Sequence, residues 1–89
     1  MSEILKRAAA GTMESSDVYV EIEPADSCIV IELDSVVEKQ FGAEIRRVAG
    51  EVLEEQGVTS AKLRLVDRGA LDCVIRARVE TAILRGMEG

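Results

Sequence analysis

Apolar and polar residues alternate in three stretches of this chain and recur at helical spacing in others. Val18, Val20 and Ile22 fall on one side of a run whose other side is Tyr19, Glu21 and Glu23, the period-2 pattern of a half-buried strand. Pro24-Ala25-Asp26-Ser27 breaks that run, and Cys28–Leu33 resumes it with Ile29, Ile31 and Leu33 on one face. Ala61, Leu63 and Leu65 alternate with Lys62, Arg64 and Val66 as a further strand, after which Asp67-Arg68-Gly69 turns the chain. Ala8–Met13 is small and apolar and fits either an edge strand or a frayed tail. The polar cluster Glu14-Ser15-Ser16-Asp17 follows it as a turn.

A different period begins at Ser35. Ser35-Val36-Val37-Glu38 fits a capping box, and Val37, Phe41, Ile45, Val48 and Val52 then recur at helical spacing until Gly57. Phe41 is the one large aromatic on that stripe, so its truncation is expected to cost about 3–5 kcal/mol. In the last segment Leu71, Ile75, Val79, Ala82 and Ile83 suit a helix, while Leu71, Cys73, Ile75, Ala77 and Val79 also alternate as a strand would. Length favours the helix. The expected fold is α+β, a single domain over residues 1–89 in the order strand-strand-strand-helix-strand-helix. Short links between successive strands imply a small, largely antiparallel sheet, with two helices on one face.

Composition narrows the chemistry. Among 89 residues there is no histidine, which removes imidazole bases, Ser-His and Cys-His nucleophile pairs, and every histidine-containing metal site. The net charge is −6, so a nucleic-acid backbone would be repelled. The first 45 residues hold 3 basic and 10 acidic side chains, the remainder 8 and 7, which leaves the second half the more cationic. No apolar run is long enough for a membrane span, and the opening Met1-Ser2-Glu3-Ile4-Leu5-Lys6-Arg7 lacks a signal-peptide core. Cys28 and Cys73 form no CxxC and read as buried thiols of a reducing cytoplasm. The spacing of Glu21 and Glu32 does not distinguish an acid–base pair from the polar side of two strands. Asp67, Asp72 and Glu80 specify no cation site, and no glycine-rich loop cradles a phosphate. No catalytic and no metal-binding residue is assigned.

Two serines are candidates for covalent modification. Asp34-Ser35-Val36 is similar to the Asp-Ser-Leu attachment site of ordinary phosphopantetheine acyl carriers, but those are helical bundles, and Ser35 here follows a strand. Ala10-Gly11-Thr12-Met13-Glu14-Ser15-Ser16-Asp17-Val18 closely resembles the Ala-Gly-Thr-Leu-Glu-Ser-Gly-Asp-Val segment of the citrate lyase acyl carrier proteins, the gamma subunits of that complex. The resemblance continues through Ser35-Val36-Val37-Glu38-Lys39-Gln40-Phe41-Gly42 and returns over Asp67–Arg78. It implies a cytoplasmic, non-catalytic carrier of the citrate fermentation pathway. A serine, Ser15 here, would bear phosphoribosyl dephospho-coenzyme A in phosphodiester linkage. The thiol of that group would carry acetyl and then citryl between the alpha and beta subunits, after loading by a prosthetic-group transferase.

Where the family has glycine, this chain has Ser16, which places a second hydroxyl beside the first. Glu14 and Asp17 flank the serine and are expected to repel the cofactor's phosphates from the tip. The reading that competes with a carrier is an unmodified regulatory or assembly module, binding a partner through its sheet or its arginine-rich second half.

Overall fold

A computed structural model of the chain describes residues 3–88; the reading of Met1 and Ser2 as free of an export signal lies outside them. Four strands and two helices follow in the order β1 (Ala8–Gly11), β2 (Val18–Glu23), β3 (Ile29–Ser35), α1 (Glu38–Glu55), β4 (Ala61–Asp67) and α2 (Asp72–Met87). The α+β class and the element order are as the patterning predicts, and the ambiguous last segment is a helix. Ala8–Gly11 is an edge strand.

The sheet is mixed, in the order β1-β2-β4-β3. β4 lies between β2 and β3, antiparallel to the first and parallel to the second, so the expected β2–β3 antiparallel neighbours do not form. Their short link joins strands that each pair with β4. The parallel pair is possible because α1 carries the chain from the end of β3 back to the start of β4.

The core lies between one face of the sheet and the two helices. Val18, Val20 and Ile22 of β2 and Ala61, Leu63 and Leu65 of β4 meet Val48, Val52 and Leu53 of α1 and Ile75, Val79 and Ile83 of α2. These side chains are all branched aliphatics or alanine. Gly57, at φ +73°, ends α1 with the paired bonds of a Schellman motif, Val58 N–H to the Leu53 carbonyl and Gly57 N–H to that of Glu54. The opposite sheet face is a lattice of charge. Glu21 accepts hydrogen bonds from Arg7 and Arg64, and its carboxyl is held below the usual range mainly by Arg7. Lys62 lies 3.8 Å from Glu32. Glu21 and Glu32 are thus ion-paired residues of an outer face.

Three expectations about packing are corrected. Phe41 is 52% exposed, because the buried stripe of α1 runs through Gly42, Ile45, Val48, Ala49, Val52 and Leu53, one residue around from the ring. Gly42 faces Leu33 on the edge strand, and among the described residues no further strand lies beyond β3 to cover Phe41. Both cysteines are exposed: Cys28 precedes the edge strand, and Cys73 lies in the first turn of α2, off its buried face. Ser35 is not a helix cap. It closes β3, and α1 starts only at Glu38, with Val37 at the N-cap and no side-chain capping bond.

The burial pattern replaces the large loss first expected at Phe41. Phe41→Ala is expected to lower stability by no more than about 1 kcal/mol, whereas Leu63→Ala, at the centre of β4 with no exposed surface, is expected to lose about 2–5 kcal/mol. Urea unfolding of the two variants measures this; a larger loss at Phe41 than at Leu63 would contradict the packing described.

Candidate functional site

The strand register gathers the chemistry at one end of the sheet. Gly11 of β1 pairs with Tyr19 next to the start of β2, Val18 pairs with Asp67 at the end of β4, and Asp67 pairs with Ser35 at the end of β3. The β1–β2 turn, the β3–α1 link and the β4–α2 loop therefore emerge side by side. Ser15, Ser16 and Ser35 all lie here.

Glu14–Asp17 form a tight turn closed by Asp17 N–H donating to the Glu14 carbonyl at 3.2 Å. Ser16 occupies the third position at φ +64°, and it is the one non-glycine residue at positive φ among those described. That sign pattern is type II, whose third position favours glycine. Ser15 occupies the corner, exposed, and its hydroxyl has no hydrogen-bond partner among the described residues.

Asp17 holds the turn to the body. Its carboxylate accepts from the Thr12 hydroxyl at 2.6 Å, from the Val18 N–H at 2.7 Å, and from Arg78 of α2 through two nitrogens at 3.1 and 2.9 Å. The Arg78 guanidinium, aided by the Thr12 hydroxyl, lowers the Asp17 carboxyl to about 2. The expected repulsive charge at Asp17 is therefore directed inward and neutralised, which leaves Glu14 as the free carboxylate of the turn. Gly11 lets the Arg78 stem pass: a Cβ there would lie 1.9 Å from the Val18 carbonyl oxygen and 3.2 Å from Arg78 Cδ.

The β4–α2 loop grips the turn from the other side. Ser16 N–H donates to the Arg68 carbonyl at 2.8 Å and Arg68 N–H to the Asp17 carbonyl at 2.9 Å. Beneath it, fully buried Asp67 accepts from the Ser35 hydroxyl at 2.8 Å and from the Gly69 and Ala70 N–H groups at 3.2 and 3.0 Å. Ser35 also accepts from Val37 N–H at 3.1 Å, so its half-buried hydroxyl is engaged on both sides. Beside this loop a cavity of about 230 Å³ opens between Val37, Phe41 and Ile45 of the α1 end and Gly69, Ala70 and Asp72.

Ser15 and Ser16 are thus brought together on one exposed corner, while Ser35 lies across the same end in a different network. Thr12, Arg68 and Arg78 carry the site's geometry without having been singled out for it in the sequence. The available signal was that all three fall inside the segments bearing the family resemblance.

A family model described as malonate decarboxylase delta subunit (MdcD) matches residues 5–86. The citrate lyase acyl carrier protein of Pectobacterium atrosepticum is 48% identical over 86 residues, covering 97% of this chain and 90% of its own length. That of Clostridium perfringens is 53% identical over 87 residues, covering 97% and 86%. A chain in the crystal structure of a Pseudomonas malonate decarboxylase hetero-tetramer in complex with malonate shares the fold, with a TM-score of 0.78 at 20% identity over 94% of this chain and 87% of that one.

The clamp has a pH signature. A carboxyl lowered from 3.8 to about 2 on folding contributes stability that is fully present above about pH 4 and lost as pH falls through 2. Asp17→Asn is expected to be less stable than the parent protein at neutral pH, with the difference shrinking between pH 4 and 2. Arg78→Met, which leaves the mostly buried carboxylate without its cation, is expected to lose about 1–3 kcal/mol at pH 7. Unfolding measured across this range tests both; parallel curves for the parent and Asp17→Asn would refute the clamp.

Proposed function

The chain belongs to the citrate lyase acyl carrier protein family, and from that premise we propose that it is the carrier subunit of a citrate lyase, with Ser15 as the point of covalent attachment. The observation that carries this is the Ser15 hydroxyl: exposed, unengaged, and set at the corner of a turn held by two independent sets of bonds. Ser35 fits less well, because its hydroxyl already serves Asp67 and Val37 N–H.

The site fits a phosphodiester-linked group such as phosphoribosyl dephospho-coenzyme A. The hydroxyl is accessible, the Asp17 carboxylate is paired with Arg78, which leaves Glu14 as the one free carboxylate of the turn, and Arg68 stands beside the turn. That group, when bound, supplies the thiol on which acetyl and citryl are carried. The chain's own residues hold the attachment point away from the sheet, so that alpha and beta subunits can each receive the arm. Exchange of acetyl for citrate and cleavage of the citryl group belong to those subunits in this reading, and loading belongs to a transferase. Four of the eight exposed large apolar side chains among the described residues, Met13, Val36, Phe41 and Leu71, also lie at this end, and they offer a partner an apolar surface beside Ser15. No helix among the described residues is long and apolar enough to cross a membrane.

Protein purified from its native host is expected to show an intact mass above that of the bare chain, with the adduct on the peptide containing Ser15. Ser15→Ala should fold with nearly unchanged stability, take up no prosthetic group and fail to support citrate cleavage in the assembled complex. Ser16→Gly should retain the adduct and be at least as stable, since glycine accepts positive φ without strain. Ser35→Ala should retain it too, while losing about 1 kcal/mol with the Asp67 bond. An adduct on Ser35, or a bare mass together with full activity of Ser15→Ala, would refute the assignment.

A further inference from the structure

Seven of the eight arginines in the chain reach a carboxylate or a main-chain carbonyl. Arg68 is the exception: among the described residues its exposed side chain has no acceptor. In a chain with 17 carboxylates and a net charge of −6 this is unusual, because acceptors surround most cations. Its backbone, by contrast, is fixed. The Arg68 carbonyl and N–H are bonded to Ser16 and Asp17, the two residues that follow Ser15 in the turn. The free guanidinium is therefore rooted next to the candidate attachment point.

The surrounding charges leave it available. Asp67, its neighbour in sequence, turns its carboxyl inward to Ser35 and the loop N–H groups, and Asp17 is taken by Arg78. A planar guanidinium presents paired donors that match two oxygens of a phosphate group.

Resting on the attachment of a phosphodiester-linked group to Ser15, we propose that Arg68 is the phosphate-binding residue of this tip. Its guanidinium takes the non-bridging oxygens of the phosphodiester nearest the protein. The proximal end of the group is then held to the body while the distal, thiol-bearing part stays free to swing. Arg78 is the poorer candidate, because its Nε and one terminal nitrogen are already committed to Asp17.

Nitrogen-15-labelled protein purified from the native host, with its adduct verified by intact mass, tests this against the unmodified chain. Loading is expected to shift the Arg68 Nε–H resonance and slow its exchange with water, to leave Arg78 Nε–H unchanged, and to lose the Arg68 shift in high salt, as an exposed ion pair should. In Arg68→Gln, the phosphorus-31 resonance of the linking phosphodiester should move to that of the same linkage in a short unfolded peptide. Folding should be unaffected, because the side chain makes no bond in the protein. Arg68→Lys should give an intermediate phosphorus shift, having the charge without the fork. An adduct on Ser15 with an unmoved Arg68 resonance, or a phosphorus shift indifferent to Arg68→Gln, would overturn the inference while leaving the attachment site intact. A bare mass would overturn both.

Discussion

Asp67 ends the central strand with no exposed surface, and a carboxyl group there is tolerable only if donors replace the water it has lost. Three do so, from two places: the Ser35 hydroxyl from the neighbouring strand, and the N–H groups of Gly69 and Ala70 from the loop that leads to α2. Satisfying this one group therefore determines how β3 ends, how β4 turns and where α2 begins. The Asp67 carbonyl takes the Val36 N–H as well, which ties down the entry to α1. With residues 67–70 fixed, Arg68 is placed where its backbone can bond to the Ser15 turn. The position of the turn is thus inherited from a buried carboxyl two strands away from β1.

A second constraint acts from the helix side. Asp17 collects Arg78, Thr12 and its own neighbour's N–H, so the turn is anchored to α2 as well as to the β4–α2 loop. Charge-assisted, bidentate bonds to a mostly buried carboxylate count for more than the exposed pairs on α1, such as Arg47 with Glu44, whose contribution solvent and salt reduce. The exposed lattice around Glu21 has a different value. It gives the open face of the sheet a solvated surface and leaves the apolar side chains Val36, Phe41 and Leu71 to mark the Ser15 end.

Legibility in the sequence followed the physics of periodicity. The strict alternation of β2, the alternation of β4 as far as Leu65 and the helical spacing of α1 from Ile45 onward report which face is buried, and there the faces are as the pattern indicates. Alternation carries no record of which strand lies beside which, so the placement of β4 between β2 and β3 was hidden. It becomes reasonable only because the α1 crossover permits a parallel neighbour. Phe41 was misplaced because Gly42, which has no side chain to register as apolar, marks the true stripe. Ser35 was misread because capping boxes are local, whereas the partner that claims its hydroxyl is 32 residues away. The Ser15 turn was legible as a turn and as a family resemblance. Its anchoring was not, since Asp17 and Arg78 are separated by 61 residues.

Ser16 shows how that anchoring bears on the choice of hydroxyl. A serine at φ +64° costs on the order of 1–2 kcal/mol relative to an ordinary backbone, and such strain persists only where surrounding bonds over-determine the conformation. Here they do: the Ser16 N–H is held by Arg68 and the turn is closed by Asp17. The substitution for glycine has therefore added a second hydroxyl without releasing the turn. Both hydroxyls are exposed, and the two residues differ in backbone: Ser16 has the strained positive φ and an N–H bonded to the next loop, and Ser15 has neither. On the proposed reading, the difference between these adjacent serines that a modifying enzyme could use is one of backbone conformation.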